Sequence, residues 1–219
     1  MKKRAKFQQK DVILHANNKK CMDQKQVSYA LGLGIGQNLL GMGAKDINID
    51  KFAHGVKDVL EGNKLEMDHK TAQIIVSQYI DDLDKKMTSA RQAANKQFLD
   101  ENRKRADVVE LPSGLQYYVV NKGNVEGKRA KETDRVQCHY EGRLLDGSVF
   151  DSSYQRGEPA VFGVNQVIQG WTEALQLMPE GAKWTLFIPS EMAYGAQGAG
   201  QVIPPHSALI FDVELLKIL

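Results

Sequence analysis

Cysteine is nearly absent from this chain. Its 219 residues include two, Cys21 and Cys138, with no CxxC or Cys/His spacing, so neither a disulfide framework nor a zinc module fits. Long hydrophobic runs are missing as well. No stretch approaches the roughly 18 apolar residues of a membrane helix, and Val12–Leu14 is too short for the apolar core of a signal peptide. The five histidines are scattered, none beside a serine or cysteine in a recognisable nucleophile motif. Gly32-Leu-Gly-Ile-Gly lacks the spacing of a dinucleotide loop, and no strand precedes it. No internal repeat is visible. Triad, metal and cofactor chemistry therefore have no motif to rest on.

What is present is a globular composition, 42% apolar and 26% charged. The net charge of +2 is unevenly placed. Residues 1–21 hold seven basic groups against Asp11, a net of +6, and the rest of the chain carries −4. The body thus offers nothing to nucleic acid. The basic stretch reads as a solvated, disordered extension, although it could meet an anionic surface. Met22 is an alternative start.

Residues 22–107 read as helical. Val27, Ala30, Leu31, Ile35, Leu39 and Leu40 recur near helical spacing between Met22 and Gly43. Gly32, Gly34 and Gly36 interrupt that helix, at about 1 kcal/mol each against alanine. Either a partner backbone approaches closely there or the helix is loosely packed. Asp50–Glu61 reads as a second helix, with Asp50 as N-cap, Phe52, Val56, Val59 and Leu60 on one face, and Gly62-Asn63 as its end. A third begins near the cap candidate Asp68 and runs to about Asp107, roughly 60 Å. Ile75, Val76, Tyr79, Ile80 and Leu83 make its start apolar, and its remainder is polar. That pattern predicts a helix packed at its start and exposed beyond.

At Val108 the periodicity changes from helical to alternating. Leu111-Pro112-Ser113-Gly114 is a turn. Strands are expected at Leu115–Val120, around Val136–Tyr140, at Lys183–Ile188 and at Ala208–Leu216. Asp146-Gly147 marks a hairpin. In the last strand Phe211, Val213 and Leu215 share a face opposite Asp212 and Glu214. Trp171–Leu177 suits one short helix, stopped by Pro179-Glu180-Gly181. The fold class is therefore α+β: a helical N-terminal half, then an antiparallel sheet with one helix against it. Cys138 reads as a core thiol and His139 as a surface residue.

Aromatic and aliphatic residues cluster beside turns in this second half: Tyr140, Phe150-Asp151-Ser152-Ser153, Val167-Ile168-Gln169-Gly170-Trp171, Ala193-Tyr194-Gly195, Val202-Ile203-Pro204-Pro205 and Phe211. Loop-borne aromatics not needed for strand packing suggest a binding surface. Taken singly, Trp171 could as well be a core residue.

Together with Val136–Gly142 and the ending Phe211-Asp-Val-Glu-Leu-Leu216, these segments resemble the FKBP-type peptidyl-prolyl cis-trans isomerases, in order, over residues 109–219. The helical half, with Val27-Ser-Tyr-Ala-Leu-Gly32 and the long helix, looks like the dimerisation region of the bacterial Mip-like branch. The resemblance implies a helical dimerisation domain at 22–67, a connecting helix at 68–107 and an isomerase domain at 109–219, with a half-conical sheet wrapped on the short helix. It implies Trp171 as the floor of an apolar pocket lined by Tyr140, Phe150, Val167, Ile168, Tyr194, Ile203 and Phe211, with Phe162 and Val202 as further substrate contacts. The Ile168 N–H and the Tyr194 hydroxyl would bond the bound peptide. Asp151 would be the one buried polar group near the twisting amide, with Arg156 as its partner. Ala160 and Ala199 depart from the aromatic and histidine of many members, which implies a shallower rim.

The chemistry suits the absences. An X–Pro bond rotates over a barrier of about 18–20 kcal/mol set by amide resonance. An apolar pocket shaped for the twisted amide lowers that barrier without proton, nucleophile, metal or cofactor. The expected function is prolyl isomerisation in folding proteins, with chaperone-like client binding by the dimer. A non-catalytic proline-binding chaperone module and a purely structural dimer scaffold are the alternatives. Implied partners are proline-containing unfolded or partly folded proteins, rapamycin-like macrolide inhibitors and a second copy of the chain through its N-terminal helices. No membrane span is expected. The branch has cytoplasmic and exported members. The lack of a signal sequence points to the cytoplasm, with the periplasm as the alternative.

Overall fold

The computed structural model describes residues 23–219, so the basic stretch 1–21 and the alternative start at Met22 lie outside the described residues. The chain divides into two units between Leu83 and Asp84, not near Val108 where the periodicity changes.

In the first unit, α1 (Gln24–Gly41) is capped by Asp23, whose carboxylate accepts the Lys25 N–H at 3.1 Å. The cap of α2 (Ile49–Glu61) is Asn48, which accepts the Lys51 N–H at 2.9 Å. Asp50, expected as that cap, instead sits in the first turn, where its charge complements the helix dipole. Gly62 ends α2 at φ 69°, the left-handed conformation that glycine adopts without a Cβ penalty. Asp68 precedes α3 (His69–Asn102) and accepts the Thr71 N–H at 2.8 Å.

Helix α3 has 34 residues, about 51 Å. It stops short of Asp107 because residues 103–107 form turns. Its packing reverses the expectation from hydropathy. Ile75, Val76, Tyr79 and Ile80 at its start are exposed in the single chain, as far as the described residues go. Its polar end is the part that packs, through a few well-placed side chains. The Phe98 ring lies 5.8 Å from that of Phe187. Buried Asn102 donates to Gln116 Oε1 at 2.9 Å, and Gln116 Nε2 donates to the Leu99 carbonyl at 3.0 Å. The second unit therefore begins within α3.

That unit contains β1 (Val109–Glu110), β2 (Gln116–Asn121), β3 (Arg135–Arg143), β4 (Val149–Ser152), α4 (Ser153–Arg156), β5 (Ala160–Gly163), α5 (Gln169–Leu177), β6 (Lys183–Ile188) and β7 (Leu209–Ile218). The strands form one antiparallel sheet in the order β1-β2-β6-β7-β3-β4, and β5 also pairs with β3. Val136, Cys138 and Tyr140 of β3 and Phe211, Val213 and Leu215 of β7 point inward, as their period-two spacing dictates. Trp171, Ala174 and Leu175 of α5 close the core from the other side. β4 and β5, four residues each, are too short to show an alternation in the sequence.

Burial pushes the Cys138 thiol up to about 12, as befits a core side chain. His139 is half-buried rather than a free surface residue. Its ring stacks on Tyr154 at 4.7 Å, and its Nδ1 is 2.9 Å from Ser153 Oγ.

Candidate active site

Trp171 occupies the first turn of α5 and is 3% exposed. Three rings stand edge-on around it, with centroids at 5.3 Å for Tyr140, 5.6 Å for Phe162 and 5.3 Å for Phe211. Phe150 of β4 meets Phe211 edge-on at 5.5 Å. Each contact has the T-shaped geometry that aromatic quadrupoles favour. Five separate elements supply these rings: α5, β3, β5, and β4 and β7, which flank β3 on either side. Ile203 is buried in the same cluster, and Val167, Ile168, Ala160 and Ala199 pack partly buried against it.

Gly142 makes the ring pair possible. It is paired with both Asp151 of β4 and Phe211 of β7. A Cβ there would lie 2.6 Å from both Phe150 Cζ and Phe211 Cε1. Glycine in a strand interior marks this kind of close approach. The sequence carries that cue in Tyr140-Glu141-Gly142, but nothing in the local spacing says which rings approach it.

The polar part of the site is a triangle. Tyr140 Oη donates to Asp151 Oδ2 at 2.5 Å. Arg156 Nη2 donates to Tyr140 Oη at 2.7 Å, and Arg156 Nη1 donates to Asp151 Oδ1. Burial works to raise the Asp151 carboxyl. The hydrogen bonds from Tyr140 and Arg156, with the Arg156 charge, outweigh it and hold the group below the ordinary carboxylate range. Burial first, then the bond to Asp151, pushes the Tyr140 hydroxyl up. Tyr194 is raised by burial and by the nearby Asp151 charge, so it stays a neutral donor at physiological pH. The site thus offers one fixed anion, paired to one cation, beside an apolar aromatic cup.

The serines of Phe150-Asp151-Ser152-Ser153 support this arrangement. Ser153 Oγ accepts the Tyr140 N–H at 2.7 Å and ties α4 to β3. Ser152 caps α4, the turn that carries Arg156. Two expected placements are corrected. The Asp151 side chain is 42% exposed rather than buried, because β4 is the last strand of its side of the sheet. Val202 is 58% exposed and outside the aromatic cluster, since the turn that buries Ile203 directs its neighbour outward. Tyr194 stands at the rim, 39% exposed.

Comparison with known proteins agrees with this geometry. Residues 126–216 match the model of the FKBP-type peptidyl-prolyl cis-trans isomerases, and residues 24–119 match that of the domain amino terminal to them. The chain is 46% identical over 200 residues to the FKBP-type 22 kDa peptidyl-prolyl cis-trans isomerase of Escherichia coli, covering 90% of this chain and 96% of that protein. It is 39% identical over 213 residues to the peptidyl-prolyl cis-trans isomerase Mip of Coxiella burnetii, covering 93% and 90%. The crystal structure of FkpA from Escherichia coli superposes with a TM-score of 0.70 at 34% identity, covering 90% of this chain and 96% of that one. An aromatic cup on an antiparallel sheet, together with these likenesses along the chain, places the protein in the family of FKBP-type peptidyl-prolyl cis-trans isomerases, enzymes that rotate the X–Pro amide.

Proposed function

We propose that the isomerase works on X–Pro bonds of unfolded or partly folded proteins, and that it does so as a twofold dimer with chaperone-like client binding. The observation that carries the site is the ring cluster around Trp171, where an apolar floor meets a single ionised pair. In this reading the proline ring sits on Trp171, between Tyr140, Phe150, Phe162 and Phe211, with Val167, Ile168 and Ile203 as walls. Water leaves the amide as the ring enters. Desolvation weakens the charge-separated resonance form that keeps the amide planar, so the twisted form is favoured relative to solution. Asp151, held as a carboxylate by Tyr140 and Arg156, gives the twisting amide a fixed dipolar environment and transfers no proton. The Ile168 N–H and the neutral Tyr194 hydroxyl bond the peptide on either side. A rapamycin-like macrolide would use the same cup, which accepts an apolar ring beside hydrogen-bonding carbonyls.

The dimer rests on the first unit. Leu31, Leu40, Val59, Leu60, Ile75, Val76 and Tyr79 are all exposed in the single chain, and an open groove lined by Ala72, Val76 and Ile80 follows the start of α3. Exposed apolar side chains in this number mark an interface, and a second copy is the commonest occupant. Cytoplasmic residence is part of the same proposal, with fractionation of cells as its measurement.

Site-directed variants test the pocket. Phe150→Ala and Asp151→Leu should each lower kcat/KM on proline peptides about tenfold or more, the equivalent of 1.4 kcal/mol of transition-state preference. Near-native activity in both, with the fold intact by circular dichroism, would overturn the site assignment.

A further inference from the structure

The loop between the short 3-10 turn Ser190–Met192 and β7 carries Tyr194 and Ile203, and it is held from outside by α3. Arg91 Nη1 donates to the Pro205 carbonyl at 2.8 Å, and Asn95 Nδ2 donates to the His206 carbonyl at 2.5 Å. Gln92 Nε2 lies 3.2 Å from His206 Nδ1. All three helix residues belong to the unit that starts at Asp84. His206 has φ 56° and is the one non-glycine residue with positive φ among the described residues. A side-chain-bearing residue keeps that conformation only where its surroundings hold it.

The held carbonyls lie two and three residues beyond Ile203. The His206 N–H donates to the Gly195 carbonyl at 2.7 Å, which fastens the residue next to Tyr194. Ile203 is also bridged to Ala199, with N···O distances of 2.8 and 3.1 Å. A hold on Pro205 and His206 is thereby passed to both Tyr194 at the rim and Ile203 in the wall.

We infer that Arg91 and Asn95 are positioning residues of the isomerase, which set the loop carrying Ile203 and Tyr194 in its substrate-ready form from the flank of α3. This rests on the pocket reading given above. Loops sit at the low-stability end of a fold. If only a fraction of molecules holds the competent loop, apparent affinity falls by that fraction, while the bound complex orders the loop and turns over normally. Loss of the helix bonds should then act on KM and leave kcat nearly unchanged.

The test uses the full chain. Asn95→Asp keeps the shape but turns a donor into an anion facing a carbonyl. Arg91→Ala removes the second bond, and Arg91→Lys retains a donor. Kinetics on a short proline peptide and amide exchange are measured for each, with Phe150→Ala alongside. Asn95→Asp should raise KM about fivefold or more with kcat within about twofold. Arg91→Ala should follow in the same direction, and Arg91→Lys should stay near the parent. Exchange at Ile203 and His206 should quicken, while Leu186 and Val213 in the sheet stay protected. Unchanged KM in Asn95→Asp and Arg91→Ala while Phe150→Ala is impaired, or a fall in kcat at constant KM, overturns the positioning role. Full activity in Phe150→Ala as well overturns the pocket reading, and this inference with it.

Discussion

Gly142→Ala adds one methyl group at the point where β3 passes under two phenyl rings. The new Cβ would lie 2.6 Å from Phe150 Cζ and from Phe211 Cε1, and 2.7 Å from Phe150 Cε2. Carbon atoms in contact prefer about 3.5–4.0 Å, so each ring must retreat by roughly 1 Å. The strand cannot yield instead, because Gly142 is paired on one side with Asp151 and on the other with Phe211. Overpacking of this kind costs about 1–3 kcal/mol, which for a domain of this size corresponds to roughly 3–10 °C in Tm. The displaced Phe211 is also a wall of the cup, 5.3 Å from Trp171. Activity on proline peptides should therefore fall about tenfold or more, beyond what lost stability explains. Urea denaturation and a peptide isomerisation assay read the two effects. Adding Phe150→Leu should recover part of the stability, because the smaller side chain leaves room and the two changes share one space. If Gly142→Ala matched the parent in both assays, the rings would not be held by this contact and the packing argument would fail.

Three further outcomes are expected. Asp151 has a depressed carboxyl pKa, so its pairing with Tyr140 and Arg156 contributes fully above the unfolded value of about 3.9 and is lost as pH falls through the lower folded value; peptide isomerisation measured across neutral pH should show no titration from this group, and an activity step between pH 6 and 8 that disappears in Asp151→Asn would contradict that. In α1, a Cβ at Gly32 or Gly36 meets nothing within 4 Å in the single chain, so alanine there should favour the isolated helix by about 0.5–1 kcal/mol per site yet weaken a close-packed dimer. Sedimentation should show the double variant dissociating at concentrations where the parent is dimeric, and a dimer of unchanged or greater stability would remove close backbone approach as the reason for these glycines. A fragment starting at 109 loses Phe98 and Asn102, which cover Phe187 and satisfy Gln116, so it should unfold at lower urea than one starting at 84. The longer fragment should equal the full chain on short peptides and be poorer at refolding a whole protein, whereas equal refolding at equal pocket concentration would deny the helical half a role in client handling.

Local pattern determined much of this protein. The period-two spacing of Val136, Cys138 and Tyr140 and of Phe211, Val213 and Leu215 marks which side chains share the inner face, because successive residues of a strand point to opposite sides. Lys183–Ile188 is the observed extent of β6, and Asp68 and Gly62 sit at helix ends as their side-chain chemistry and backbone freedom require. The segments bearing Tyr140, Phe150, Trp171, Ile203 and Phe211 were legible as a group. Tertiary structure alone decided what covers each face. Hydropathy placed the packed part of α3 at Ile75–Ile80, but its own chain covers it at Phe98 and Asn102, because burial depends on the partner surface that arrives and not on the mean polarity of the helix. The exposure of Asp151 follows from the place of β4 in the strand order, which no local spacing encodes. The role of Gly142 depends on two rings brought from β4 and β7. The bonds from Arg91 and Asn95 to Pro205 and His206 join residues more than 100 positions apart. Spacing along a chain reports neighbours within one turn or one strand, and contacts across such a distance exist only once the sheet and helix have packed.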